Sequence, residues 1–475
     1  MNSASVDLIY LDPPFNSNAD YSAPIGSQAA GAAFKDTWGL DDINLAWHGE
    51  IKHEQPGLYD LLNATRRIHG DSMMSYLIYM AIRVMEMRRL IAPTGSLYLH
   101  CDPTASHYLK LMLDDVFGGP NFRNEIIWKR TTGRSDAQRF GRVHDVILYY
   151  SSGAGTTWNK QYQPYDAEYI SAKYRHDDSD GRGPYRTGDL TGPGVNPNDA
   201  PLGEWHPANI GRCWSVPRTG AYAEWIDTNL IPGYRSIDDA EARLAALEAA
   251  DMIYWSKKGT PELRRYLAGG LGTAAGDVIT DTPPVNSQAA ERVGYPTQKP
   301  LALLRRIIDA SSNPDDVVLD PFCGCATACI AAEQLGRQWV GIDISPKAAE
   351  LVAMRMHKEI GLFYDGDHRE DIPKRTDLGK LPKYNCVANK KWLYGEQGGY
   401  CNGCSTHFKA QNLTVDHIIP RAKGGTDHIS NLQLLCGHCN SVKGDRPMDY
   451  LIACLTDKGW IKRQFDYTEL GEAAT

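Results

Sequence analysis

Nowhere in the 475 residues is there an apolar run long enough to cross a bilayer, and no basic stretch leads into a short apolar one at the amino terminus. A membrane-spanning helix and a secretory leader are therefore not expected, and a cytoplasmic location follows by default. Internal repeats and low-complexity tracts are also missing, which sets aside solenoids and linker-like chains. Excess basic charge is missing too. The net charge is −8, so any binding of nucleic acid has to rest on local patches. Two such patches exist. One holds Arg123, Lys129, Arg130, Arg134, Arg139 and Arg142; the other holds Lys374, Arg375, Lys380, Lys383, Lys390 and Lys391. Taken alone, the second reads as a solvated face.

What is present is the balance of a globular chain, 42% hydrophobic and 23% charged. The length exceeds one ordinary core, so two or three domains are expected. The 11 cysteines are unevenly spread, and four of them form two CxxC pairs near the carboxyl terminus. In a cytosolic chain that pattern reads as a metal site rather than a disulfide framework.

Residues 6–11 (VDLIYL) form a short apolar run that ends at Asp12-Pro13-Pro14-Phe15, a buried strand feeding a rigid loop. Residues 16–70 show little periodicity. A helical stripe then runs through Leu77, Met80, Ala81, Val84, Met87 and Ile91, with Pro93-Thr94-Gly95 ending it. A strand is expected over 96–100, a helix over 105–117, and strands over 125–129 and 146–150. Residues 151–290 break the pattern and read as an inserted module with one clear helix at 238–250. Alternation then returns: helix 301–310, strand 317–320, helix 328–335, strand 339–343, helix 346–358. Strand and helix in alternation mean a parallel α/β sheet. The boundaries expected are a first domain over 1–365, a basic linker over 366–391, a cysteine module over 392–450 and a tail over 451–475.

The Asp12 loop has a specific chemistry. An exocyclic amine on an aromatic base is a poor nucleophile because its lone pair is delocalised into the ring. A site that activates it must accept hydrogen bonds from the amino hydrogens. Asp12 is a strong acceptor. Pro13 and Pro14 lack N–H and stiffen the loop, so a backbone carbonyl can take the other hydrogen. Phe15 offers a flat face to a base turned out of a duplex. A proline turn that merely closes a strand explains the tetrapeptide equally well.

A second loop, Asp320-Pro321-Phe322-Cys323-Gly324-Cys325-Ala326-Thr327, joins a strand to a helix, where glycine lets a ligand approach the backbone. Asp343 ends the next strand, the usual place for an acid that holds ribose hydroxyls. The loop lacks a full GxGxxG and a P-loop lysine, which weakens NAD and ATP as ligands.

Two such loops in this order, with Tyr295 to Pro300 (YPTQKP) before the second, resemble the permuted class of DNA amino-methyltransferases over about residues 6–358. The resemblance implies a Rossmann-like S-adenosylmethionine-dependent sheet with an inserted target-recognition region. It further implies that Asp320, Phe322, Gly324 and Asp343 line the cofactor, that Lys299 and Pro300 close its pocket, and that double-stranded DNA is the partner. The aspartate of DPPF favours adenine over cytosine in that family, and the chemistry admits both. Members often dimerise, so a homodimer is compatible. Two departures stand out. Ala326 replaces a usual glycine. The family's usual first strand, expected at a sheet edge, has no counterpart ahead of residue 6, which would leave the adenine pocket partly open. His100 and Asp102 read as a satisfied pair, the Phe34 to Trp38 run as packing, and Cys323, Cys325 and Cys329 as small packing residues. With the resemblance in view, phosphate contact becomes the better reading of the first basic patch.

Cys401, Cys404, Cys436 and Cys439 have the spacing of a closed tetrahedral thiolate site for structural zinc. Between the pairs stand Asp416-His417, Gly424-Gly425 and Asn431, and Asn440 follows the last cysteine. This is similar to the HNH nuclease motif, a small ββα-metal domain. The similarity makes His417 the general base. It makes Asp416 and Asn440 ligands of magnesium or manganese, which suit hard oxygen donors. Asn431 would hold the loop that orients His417. His438, inside a CxxC pair, receives no catalytic role. A zinc ribbon that only binds DNA, joined to an inactive methyltransferase remnant, is the rival reading. The reading the two resemblances favour is a methyltransferase and nuclease in one chain, serving restriction and modification or a phage genome.

Overall fold

In the computed structural model, residues 1–15, 51, 55–132, 138–286, 288–295, 297–361, 364, 366–369 and 375–460 are described, with the backbone of 19–22 and 33–36. Arg134, Lys374, Pro296, the Phe34 and Trp38 side chains and residues 461–475 lie outside the described residues. The chain forms two compact units, one of Met1–Asn159 with Asp277–Thr475, the other of Lys160–Gly276.

The first unit is built on seven strands: β1 (Val6–Leu11), β2 (Ile91–Cys101), β3 (Phe122–Lys129), β4 (His144–Ser151), β5 (Val278–Ile279), β6 (Val317–Asp320) and β7 (Gln338–Gly341). Their spatial order is β5-β3-β4-β2-β1-β6-β7. β1 pairs in parallel with both β2 and β6, and β6 with β7; β4 runs against its neighbours β2 and β3. This is a mixed, largely parallel α/β sheet of the Rossmann-like kind that the resemblance implies. After β1 the chain moves to one side, to β2; after β6 it moves to the other, to β7. Loops leaving β1 and β6 therefore diverge at a crevice beyond the carboxyl ends of the strands, where α/β sheets bind ligands.

Apolar sequence sets this layout. Val6, Leu8, Ile9 and Leu11 are fully buried, as expected of a central strand covered on both faces. The stripe on α2 (Asp71–Leu90) buries Leu77, Met80, Ala81, Val84 and Met87 against one face. On the other face α4 (Leu301–Ser311) buries Leu303, Leu304, Ile307 and Ile308. Each of these leucine, isoleucine, valine and methionine side chains contributes roughly 1.5–3 kcal/mol.

Three readings need correction. A helix, α1 (Pro56–His69), occupies sequence expected to show little period; it buries Leu58, Tyr59, Leu62 and Thr65, which recur at helical spacing on one face. The Pro93-Thr94-Gly95 segment does not follow a helix end at once but lies inside β2, where pairing with β1 jumps from Val6–Ile91 to Leu8–Ser96. The inserted unit spans 160–276, not 151–290, because Val278 and Ile279 add a strand to the main sheet beside β3. That second unit has a three-stranded antiparallel sheet (Ile253–Trp255, Pro261–Tyr266, Tyr185–Asp189) over a core of Ile226, Tyr234, Leu247 and Leu263.

The cysteine module is a hairpin of β8 (Leu413–His417) and β9 (Leu432–Cys436) followed by α8 (Gly437–Lys443). Its core also takes Leu393 from α7 (Val387–Glu396) and Leu451 and Leu455 from α9 (Met448–Asp457), so it reaches beyond 392–450 at both ends. Among the described residues no helix is long and apolar enough to cross a membrane.

Candidate functional sites

Asp12 follows β1 directly and Asp320 is the last residue of the adjacent β6. Parallel pairing delivers both to one edge of the sheet, where a cavity of about 400 Å³ is lined by Asp12, Phe15, Lys299, Asp320, Gly324 and Asp343, and also by Pro13, Pro14 and Phe322.

The cofactor-type loop is held tightly. Asp320 Oδ1 accepts from Phe322 N at 3.1 Å, and Asp343 Oδ2 accepts from Gly324 N at 2.9 Å. Gly324 has φ +47°, and a Cβ there would stand 3.0 Å from the Tyr295 ring. Ala326 is left-handed at φ 61° and fully buried. Its methyl costs about 1–2 kcal/mol in that conformation, which the usual glycine avoids. Beneath the loop, buried Arg355 donates to the Cys325 carbonyl and to Thr327 Oγ1. Burial pushes the Asp320 carboxyl up to about 8, with Asp12 and Asp343 adding to the rise. A buried carboxylate and an open backbone cradle fit a ligand with a cationic end and a nucleoside end.

Lys299 does more than close the pocket. Its Nζ donates to Asp12 Oδ1 and Oδ2, both at 2.7 Å, and lies 5.1 Å from the centroid of the Phe15 ring. Pro300 caps the start of α4 and does not line the cavity. On Phe15 the His100 ring stacks with centroids 5.9 Å apart. His100 is not paired with Asp102, which caps the turn at Thr104. Its partners are Tyr10 Oη at 2.9 Å and Asp145 Oδ2 at 3.2 Å, all buried. Burial, then the Lys299 charge, lowers the His100 pKa against the pull of Asp145.

At the other site the four cysteine sulfurs all lie within 4.8 Å of one another, a cluster that could hold one metal ion. Gly403 allows it: a Cβ there would come 2.9 Å from Cys439 Sγ. His417 ends β8, and its Nε2 meets Asp427 Oδ1 at 2.9 Å. Arg421 Nε also donates to Asp427 Oδ1, at 2.8 Å, and this guanidinium holds the Asp427 carboxyl below its usual range. Buried Lys443 donates to the His417 carbonyl at 2.7 Å and to Asp416 Oδ2 at 2.9 Å. Gln433 Nε2 also donates to Asp416 Oδ2, at 3.3 Å. Asn431 makes three hydrogen bonds across the loop, to Ile419 N, Ile419 O and Thr426 O at 2.9, 3.0 and 2.9 Å. Asn440 sits on α8, which packs against β8.

Residues 6–354 match the N6/N4 DNA methylase family, and residues 401–446 match the HNH endonuclease family. The chain belongs to the N6/N4 DNA methylases. It carries an HNH endonuclease domain behind the methylase. It is 31% identical over 329 residues to the type II methyltransferase M.EcaI of Enterobacter cloacae, covering 68% of this chain and 67% of that protein. It is 39% identical over 105 residues to the DNA adenine methyltransferase YhdJ of Escherichia coli K12, covering 22% of this chain and 35% of that one. The M1.HpyAVI–SAM complex aligns over 75% of this chain and 90% of that chain at 14% identity, with a TM-score of 0.32.

In this methylase the sequence did not reveal Lys299 as the partner of Asp12, nor Tyr79 and Arg83 of α2 as cavity walls. Asp427 was also missed, since an acid ten residues from a histidine on a loop has no periodic signature. The first basic patch is partly spent on the protein itself. Arg123 donates to Ser151 Oγ, and Arg130 pairs with Asp145 at 2.9 Å.

Proposed function

We propose that this protein transfers a methyl group from S-adenosylmethionine to the N6 amine of adenine in double-stranded DNA, and that its HNH domain cuts or nicks a phosphodiester. The observation that carries the first part is one cavity shared by Asp12 and the Asp320–Asp343 loops. S-adenosylmethionine, when bound, supplies an electrophilic methyl on its sulfonium. Asp320 faces the cationic end of that molecule and Asp343 its ribose, with Gly324 leaving room for it. The target base turns out of the duplex and lies on Phe15, whose other face is covered by His100. Asp12 accepts one amino hydrogen and the loop carbonyl of Pro13 the other, so the nitrogen lone pair turns toward the methyl. The 160–276 unit supplies sequence recognition, and Lys129, Arg139 and Arg142 contact phosphates.

In the HNH domain the four cysteines hold structural zinc, with no open position. Asp416 and Asn440 would hold magnesium or manganese, which stabilises charge on the scissile phosphate. His417 takes a proton from water, and Asp427 fixes the ring. Both activities in one chain suit self-contained restriction and modification or a phage genome function.

The test is digestion of treated duplex DNA to nucleosides and mass spectrometry. N6-methyladenine is expected. N4-methylcytosine would move the target to cytosine, and no methyl transfer with any DNA would leave a binding protein.

A further inference from the structure

The Lys299 ammonium has three hydrogens. Two are used on Asp12 Oδ1 and Oδ2 at 2.7 Å each. The third has the Thr297 carbonyl at 3.4 Å, a long contact that a better acceptor would displace. The side chain is 7% exposed and that of Asp12 19%, so both groups are shielded while the cavity side of the pair stays open. The pair lies beside Phe15.

A carboxylate accepts at about four lone-pair sites. It can therefore keep both bonds to Lys299 and still accept an amino hydrogen. A ligand at this spot meets an acceptor and a donor side by side. Adenine and cytosine present the complement on their pairing edge, an amine that donates next to a bare ring nitrogen that accepts. Thymine and guanine present a carbonyl next to a ring N–H, which is the reverse.

Resting on the methyltransferase reading above, we propose that Lys299 is a specificity-determining residue whose third N–H donates to the ring nitrogen beside the target amine. Asp12 and Lys299 then read the amine edge as a unit. Carbonyl bases are rejected because they would set acceptor against carboxylate and donor against ammonium, a mismatch that buried polar groups punish heavily. Lys299 thus belongs to the base side of the cavity, and its preceding turn only brings it there.

The methylated position is first mapped on plasmid DNA. Duplexes are then made with adenine at that position, or with 1-deazaadenine, which keeps the amine and replaces the ring nitrogen by C–H. Methyl transfer by the full chain and by Lys299→Met is followed on both, with S-adenosylmethionine affinity measured alongside. The parent is expected to prefer adenine in kcat/KM by roughly 10- to 100-fold, the scale of one charge-assisted hydrogen bond. Lys299→Met should be slow on both duplexes, lose most of that preference and keep its cofactor affinity. The variant corrects for any difference in intrinsic amine reactivity, which it shares with the parent. Equal rates of the parent on both duplexes overturn the proposal and need no variant. So does a Lys299→Met enzyme that keeps the preference, or one that loses cofactor affinity while keeping it. No methylation of any natural DNA would instead overturn the methyltransferase reading beneath it. If cytosine is the base labelled, 3-deazacytosine takes the place of 1-deazaadenine with the same expectations.

Discussion

Asp343 Oδ2 accepts the amide N–H of Gly324 at 2.9 Å while its Oδ1 accepts that of Ser345 at 2.8 Å, so one carboxylate ties the loop after β7 to the loop after β6. The same residue is proposed to meet the ribose. Asp343→Ala should therefore weaken S-adenosylmethionine binding on two counts, by roughly 10- to 100-fold in Kd, the scale of one charge-assisted hydrogen bond. Asp343→Asn keeps an acceptor and should lose less. Isothermal titration measures both, and an unchanged Kd in the alanine variant would sink the assignment.

Asp12 is proposed to act on the other reactant. Asp12→Ala should leave cofactor affinity within a small factor of the parent while lowering methyl transfer by orders of magnitude, since the lost hydrogen bond is made to the amine in the chemical step. Tritiated-methyl transfer and cofactor titration on one preparation separate the two. Transfer at the parent rate would show that the Asp12 carboxylate is not needed.

Asp320, proposed to face the cationic end of the cofactor, should make cofactor binding depend on pH. Its folded-state value of about 8 lies above the ordinary carboxylate value. The neutral form is thus favoured in the folded chain, and the stability this gives is complete below the unfolded value and is lost as pH rises through about 8. A cation placed beside the carboxylate favours the ionised form instead. Binding of S-adenosylmethionine at about pH 7 should release a proton, and the release should fade above about pH 8. Calorimetry in buffers of different ionisation enthalpy reads the proton directly. Asp320→Asn should bind without it, and proton uptake by the parent would contradict the geometry.

The zinc and the magnesium or manganese proposed for the HNH domain should separate. Cys436→Ser should release zinc and unfold the module, because thiolates suit zinc and so small a core depends on it. Methyl transfer should persist, since the methylase sheet has its own core. His417→Ala should keep zinc and DNA binding and lose cleavage. Asn440→Ala should keep zinc and need more magnesium. Elemental analysis and plasmid nicking with added magnesium or manganese check all three. A His417→Ala protein that nicks at the parent rate would remove His417 from catalysis.

Parts with a local signature were legible in the residues alone. Apolar runs such as 6–11 and 317–320 can satisfy themselves only as buried strands, and the stripe from Leu77 to Met87 only as a helix with one face covered. Proline and glycine marked the Asp12 and Gly324 loops, and thiol spacing marked the four-cysteine cluster. The α1 helix escaped although Leu58, Tyr59, Leu62 and Thr65 recur at helical spacing, because the long stretch without period before it set the reading of the whole segment. Pairings across distance became legible only in the folded chain. Lys299 lies 287 residues from Asp12 in sequence, and His100 lies 90 from Tyr10. No propensity or period encodes such contacts. They arise because parallel strands bring distant loops to one edge, where each buried charge must find a partner.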